Sequence, residues 1–193
     1  MAAVSVGVQK SPANRPGTHA RPYLRVANVQ RERLVLDEIK TINVPDEDME
    51  GLRLERGDIL FVEGNGNRAE LGRVAIWAGE IGDCVHQNHI IKARLTRHRL
   101  LSEFAMAWFN SYAGRDHFFK SGKTTSGLGT INSTVIRTAP IPVPSLAEQE
   151  SLVNVLANVQ MEARAKRNEA AALRQSAWIA FESALFAAVD AGN

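Results

Sequence analysis

The sequence holds one cysteine, Cys84, in 193 residues. An intrachain disulfide is therefore impossible, and a zinc site built on several thiolates is excluded. Long hydrophobic runs are missing too, so nothing approaches the apolar length needed to cross a bilayer. The opening stretch, Met1 to Val8, lacks a basic flank leading into an apolar run. It does not read as a secretory signal, and a cytoplasmic protein without membrane contact is expected. Neither sign of charge dominates: the net charge is +2, with 45% hydrophobic and 23% charged residues. That balance is ordinary for a globular chain and argues against wholesale disorder. The charge is unevenly spread. Residues 1–145 carry 19 Lys and Arg against 15 Asp and Glu, whereas 146–193 carry 4 against 6. A mildly basic body permits nucleic-acid binding without requiring it.

Up to about residue 145 the pattern is one of short apolar runs punctuated by turn residues. Strands are expected at Tyr23–Ala27, Ile59–Val62, Arg73–Trp77 and His89–Leu95. Arg56-Gly57-Asp58 and Gly64-Asn65-Gly66-Asn67 supply turns, since Gly and Asn tolerate positive φ. Ser102 to Tyr112 reads as a helix, with Ser102 as its N-cap and Phe104, Trp108 and Phe109 as its apolar face. The fold class expected is α/β (α+β): a strand-rich mixed domain over residues 1–144, followed by one long helix over 145–190.

Between Ser145 and Val189 the chain holds neither glycine nor proline. Ala139-Pro140-Ile141-Pro142-Val143-Pro144-Ser145 is a stiff extended connector, because alternate prolines forbid helix and weaken ladders. Ser145 and Glu148 then form a capping box. From there to about Val189 nothing interrupts a helix of roughly 60 Å at 1.5 Å per residue. Leu152, Leu156, Val159, Ala163, Lys166, Ala170, Leu173, Ala177, Ala180 and Ala184 alternate spacings of four and three, the repeat that faces a partner helix in a coiled coil. A helix folded back on its own domain is the other reading; an isolated helix of this length needs some partner for its stripe.

Catalytic motifs are sought with little result. Gly122-Lys123-Thr124 resembles the end of a phosphate-binding loop, but the glycine expected five residues earlier is His117. Glu38-Ile39-Lys40 and Pro45-Asp46 stand in the wrong order for a nuclease metal site. Cys84, His86 and His89 are close in sequence, yet on a strand His89 points away from the other two, and a fourth ligand is missing. No nucleophile elbow and no methyltransferase glycine loop is found, so an enzyme is not expected and neither is a metal or cofactor of its own.

Groups suited to nucleic acid are plentiful. Asn28, Gln30, Arg31 and Arg33 follow the first expected strand. Asn65, Asn67 and Arg68 sit in a flexible polar loop, Gln87, Asn88 and His89 in another, and Lys120, Lys123, Thr124 and Ser126 in a third. Amides suit adenine edges, arginines suit guanine edges or phosphates, and lysines with hydroxyls suit phosphates. Each cluster alone reads as a solvated loop rather than a site; only their combination makes double-stranded DNA a reasonable ligand.

The chain also resembles a known family. The carrying residues are Lys10-Ser11-Pro12-Ala13-Asn14, Tyr23-Leu24-Arg25-Val26-Ala27-Asn28-Val29-Gln30, Gly57-Asp58-Ile59-Leu60-Phe61, Leu71-Gly72-Arg73-Val74-Ala75 and Pro140-Ile141-Pro142-Val143-Pro144-Ser145-Leu146-Ala147-Glu148-Gln149-Glu150. Their order and spacing resemble the specificity subunit of bacterial type I restriction–modification systems. The resemblance implies a non-catalytic reader of a two-part DNA target. Around it would assemble methylation subunits using S-adenosylmethionine, with a restriction subunit as a further partner; magnesium, like S-adenosylmethionine, would be used by these partners. Family members usually carry two recognition domains held apart by antiparallel helices. One of each here implies a half-length form that pairs as a homodimer through Leu152 to Ala184. The resemblance also implies that the first few residues of the family's domain, ahead of Val4, are missing here. By the same resemblance Gly57-Asp58 is a strand-entry turn, so its mutation should harm folding rather than specificity. An assembly module that reads no sequence, and a metal-dependent nuclease, are the competing expectations.

Overall fold

Four consecutive apolar residues, Ile59-Leu60-Phe61-Val62, form a strand with no face left to solvent. Alternate side chains on a strand point to opposite faces, so such a run survives only where both faces are covered. Ile59 and Phe61 join one core cluster, Leu60 and Val62 another. This strand organises everything around it.

The computed structural model describes residues 2–11, 17–67, 70–95, 99–125 and 128–190. In order the strands and helices are β1 (Ala2–Val6), β2 (Ala20–Leu24), β3 (Val29–Gln30), β4 (Arg33–Leu34), β5 (Lys40–Asn43) and α1 (Met49–Leu52). Then come β6 (Ile59–Val62), β7 (Gly64–Asn65), β8 (Val74–Ile76), β9 (Val85–His86), β10 (Ile90–Leu95), α2 (Ser102–Asn110) and α3 (Tyr112–Ser121). Last are β11 (Lys123–Thr125), β12 (Leu128–Thr130), α4 (Ser133–Arg137) and α5 (Leu146–Asp190). The class is α+β, strand-rich, with one long helix.

The principal sheet is antiparallel, ordered β1-β10-β6-β8, with Ile91 opposite Phe61 and Leu60 opposite Ala75. One face packs on α2, α3 and α4 through Ala105, Phe109, Phe118 and Ile136. Phe61, Phe109 and Phe118 meet as a ring trio with centroids 5.4, 5.8 and 5.6 Å apart, the tilted geometry that aromatic quadrupoles favour. The other face packs on Leu24, Val29, Leu54, Trp77 and Cys84. A second sheet, β5-β2-β9, encloses Val8, Tyr23, Ile42, Val44, Met49 and Val85.

Several local expectations need correction. The strand expected over Tyr23–Ala27 ends at Leu24, and a 3₁₀ turn follows over Val26–Asn28. The Asn28 carboxamide accepts from the Arg25 N–H at 2.8 Å and so bends the chain there. Ser102 begins α2 but does not cap it; Leu101 occupies the cap, and the Ser102 hydroxyl donates to the Gly57 carbonyl at 2.7 Å. The helix also stops at Asn110. Ser111 starts a new one, its hydroxyl accepting from Gly114 N–H at 3.1 Å. Gly64–Asn65, expected as turn, is a short strand.

Contacts divide the chain into Met1–Glu150 and Ser151–Asn193. The first turn of α5 therefore belongs with the first unit. Ser145 and Glu148 make the expected reciprocal cap, at 2.9 Å from Ser145 N–H and 3.3 Å back from Glu148 N–H. Gln149 is fully buried, donating to the carbonyls of Arg99 and Pro144 and accepting from Leu101 N–H, all at 2.8–2.9 Å.

In the second unit, every expected seam residue except half-buried Ala163 is exposed. Exposed apolar side chains also lie off that stripe: Val155, Met161, Trp178, Ile179, Phe181 and Phe186. Trp178 and Phe181 meet edge to face at 6.0 Å. Among the described residues, no helix is long and apolar enough to cross a membrane.

Candidate nucleic-acid interface

Four polar clusters scattered along the sequence become neighbours in the fold. β7 continues from β6 through Glu63 and pairs with β12, setting Asn65 opposite Gly129 and Gly64 opposite Thr130. β12 in turn pairs with β11, so that Lys123 stands opposite Thr130. The loop holding Asn65 and Asn67 and the segment holding Lys123 and Thr124 thus form one three-stranded ribbon.

Glu63 joins the next cluster to it. Its carboxylate meets His89 Nδ1 at 2.7 Å, and its N–H donates to the His89 carbonyl at 3.0 Å. Its own carbonyl accepts from Ile131 N–H at 2.8 Å, just beyond β12. The turn Gln87-Asn88-His89 is fixed from below, where Gln87 N–H donates to Leu24 O and Asn88 N–H to Val8 O, each at 2.9 Å. Gln87 and Asn88 are half-buried and His89 is exposed.

The remaining cluster is the β3–β4 hairpin. Glu32 turns it with φ +64°, and its N–H donates to the Val74 carbonyl at 2.9 Å. Arg31 reaches Asn110 Oδ1 at 3.0 Å and Glu70 at 3.2 Å. The residue after Glu70 is the buried Leu71, which lies beneath the ribbon: a methyl at Gly129 would stand 2.7 Å from its Cδ1, and one at Gly122 2.9 Å. Two adjacent residues therefore tie the hairpin to the ribbon.

Not every expected residue joins this surface. Asn28 is only 3% exposed, and its amide donates to Val35 O at 2.8 Å and Glu38 O at 3.1 Å. With both its N–H groups spent and its oxygen buried against Arg25 N–H, it is not placed to meet a base. Gln30 is half-buried and donates to Ala27 O at 2.8 Å, whereas Arg33 is exposed. Lys120 lies in the last turn of α3, not in a loop, and pairs with Asp116 at 2.6 Å. Arg68 and Ser126 lie outside the described residues. Sequence reading missed Arg73, which props the hairpin from within through Val29 O at 2.8 Å and Val26 O at 3.1 Å. Desolvation lowers its pKa, a sign of a structural cation.

The residues weighed as metal or catalytic groups have structural partners. Burial pushes the Cys84 thiol up to about 12, far from a thiolate. His86 is buried, with Nδ1 at 2.9 Å from the Ile90 carbonyl; burial, then the Lys92 charge, lowers it to about 4. Glu38 pairs with Arg25 and Lys40, and Asp46 with Arg21. Among the described residues, no group of three or more His, Cys, Asp or Glu could hold a metal ion. A cavity of about 500 Å³ opens between the principal sheet and the proline connector, lined by Val4, Ile59, Phe61, Leu95, Leu100 and Ile141. It shares no residue with the polar clusters.

No family model matches the chain. It is 28% identical over 137 residues to the type I restriction enzyme EcoKI specificity subunit of Escherichia coli (strain K12), covering 68% of this chain and 28% of that protein. It is 29% identical over 133 residues to the StySPI specificity subunit of Salmonella potsdam, covering 67% and 28%. The chain thus spans less than a third of either relative. Among solved structures, the HsdS subunit from Thermoanaerobacter tengcongensis superposes with TM-score 0.59 at 16% identity, covering 77% of this chain and 38% of that one. A chain from a structure of type I R-M complex assembly and conformational transition gives 0.60 at 15%, covering 85% and 37%. These likenesses show the fold.

Proposed function

Since the homologues of this chain are specificity subunits of type I restriction enzymes, we propose that it is a non-catalytic DNA-specificity module. It reads one half of a two-part target. The observation that carries this reading is the convergence of the β3–β4 hairpin, the 87–89 turn and the β7–β12–β11 ribbon around Glu63 and Glu70. Loops braced from below present their outward groups with little ordering left to do on binding. By residue type alone, Asn65, Asn67, Gln87 and Asn88 suit base edges, and Arg33, Arg68, Lys123, Thr124 and Ser126 suit phosphate. Arg31 and His89 reach the same surface already tied to carboxylates, so they act by positioning the loops.

Double-stranded DNA is one partner and a methylation subunit another, with a restriction subunit as a third. S-adenosylmethionine and magnesium belong to those partners. Two copies pair through Leu152, Leu156, Val159, Ala163, Ala170, Leu173 and Ala177 in the cytoplasm, so that a symmetric dimer reads a palindromic split site. The exposed aromatic end of α5 supports helix pairing, because a helix apolar on several faces requires cover.

The test is to incubate the full chain, alone and with a type I methylation subunit, with duplexes carrying randomised positions and to sequence the retained DNA. A split motif should be enriched. Arg68→Ala and Lys123→Ala should weaken binding and flatten its salt dependence by about 0.9 in log–log slope for each phosphate no longer neutralised. Retention without enrichment, unchanged by both variants, would leave an assembly module instead.

A further inference from the structure

The outward face of α3 carries two exposed aromatic rings. Tyr112 is 88% exposed and Phe119 48% exposed. Seven residues apart, they share one stripe, with Arg115 between them. The Arg115 guanidinium sits 5.4 Å over the centroid of the Tyr112 ring, which orients both groups outward together. Asp116 is taken by Lys120, and among the described residues Arg115 makes no ion pair. The stripe therefore presents one uncompensated cation flanked by two aromatic rings.

The inner face of α3 leaves no freedom to rotate this stripe away. Phe118 is fully buried in the ring trio, and a side chain at Gly114 would collide with the Trp108 carbonyl. The ends of the helix matter as much. It begins two residues after Asn110, which holds Arg31 of the hairpin, and it runs through Gly122 into β11 of the ribbon. At 1.5 Å per residue, ten residues bridge the two clusters over about 15 Å, roughly four base-pair steps of duplex rise.

We propose that the Tyr112–Arg115–Phe119 stripe is part of the duplex-binding surface, contacting the sugar–phosphate backbone between the hairpin and the ribbon. Arg115 meets a phosphate. Tyr112 lays its ring along the backbone and donates its hydroxyl to a phosphate oxygen, a contact that positions the protein without carrying sequence information. Charge and continuity favour DNA over a protein partner here: the stripe is cationic, narrow, and bounded at both ends by the proposed DNA surface. This assignment rests on the DNA reading given above.

The experiment measures binding of the full chain to a nonspecific duplex by fluorescence anisotropy across a salt series. It compares Arg115→Gln, Tyr112→Phe and Tyr112→Ala with Lys123→Ala. Arg115→Gln should lower the log–log salt slope by about 0.9. Tyr112→Ala should weaken binding about three- to tenfold, with Tyr112→Phe between it and the parent, the size expected for one hydrogen bond plus a packed ring. Thermal melting should be unchanged, since both side chains lie outside the core. If Lys123→Ala weakens binding while the Tyr112 and Arg115 variants match the parent, this inference is overturned and the DNA reading stands. If no variant, Lys123→Ala included, changes affinity or slope, both fall together. If Tyr112→Ala impairs only association with a methylation subunit, the stripe is a protein-docking face and the inference is overturned.

Discussion

Asp58 and Arg94 form a two-pronged ion pair on the principal sheet, with Nε to Oδ1 at 2.7 Å and Nη2 to Oδ2 at 2.8 Å. Asp58 is fully buried and also accepts from the Glu55 N–H at 2.7 Å. Removing one partner strands a buried charge, which costs on the order of 3–5 kcal/mol. Arg94→Ala should therefore shift the urea midpoint sharply. Whatever fraction remains folded should keep the geometry of the polar surface, because neither residue reaches it.

His86 sets a pH limit on stability. Its folded pKa is lowered to about 4 by burial and then by Lys92, against an ordinary 6.5. Above about pH 6.5 both states are neutral here and nothing is lost. As pH falls below that, the unfolded chain takes up a proton that the folded chain refuses, so stability declines until about pH 4. The full decline is on the order of 3 kcal/mol. Chemical denaturation at pH 7.5 and pH 5 should show it, and His86→Gln should lessen the difference between those two values.

Gln149 couples the start of α5 to the loop before α2. Its three hydrogen bonds are buried, so Gln149→Ala leaves Leu101 N–H and two carbonyls without their partner. A loss of about 1–3 kcal/mol is expected in equilibrium unfolding. Glu150→Ala, exposed and next to it, should cost almost nothing.

Pairing through α5 makes a separate prediction. Leu156→Glu with Leu173→Glu should convert a dimer into a monomer by light scattering, with the unfolding of the first unit unaltered. A monomeric parent would remove the basis for a palindromic target.

What could be read in advance follows from how locally each feature is determined. Ile59–Val62 was legible because burial on both faces leaves an unbroken apolar run. The capped start of α5 was legible because Ser145 and Glu148 satisfy each other three residues apart. The end of β2 was not, since Asn28 closes back on Arg25 and overrides strand propensity. Nor was the start of α2, where Ser102 spends its hydroxyl on a residue 45 positions away. α3 carries only two buried residues, Gly114 and Phe118, too few to stand out as a periodic stripe. Site residues follow the same logic: Arg31 was chosen for its chemistry, but its partner Asn110 is 79 positions distant. That the chosen loops meet depends on sheet pairing, which no local pattern encodes.

The double cover on β6 has a consequence for how such a protein can change. A substitution in Ile59–Val62 disturbs one of two packed cores, and neighbouring positions disturb both. The turns and ribbon carrying the polar groups hang from that strand by backbone hydrogen bonds, which are indifferent to side-chain identity. Tolerance to substitution should therefore be uneven, low in the frame and high at the tips. A protein built on this plan can change what its tips present without rebuilding the scaffold that displays them.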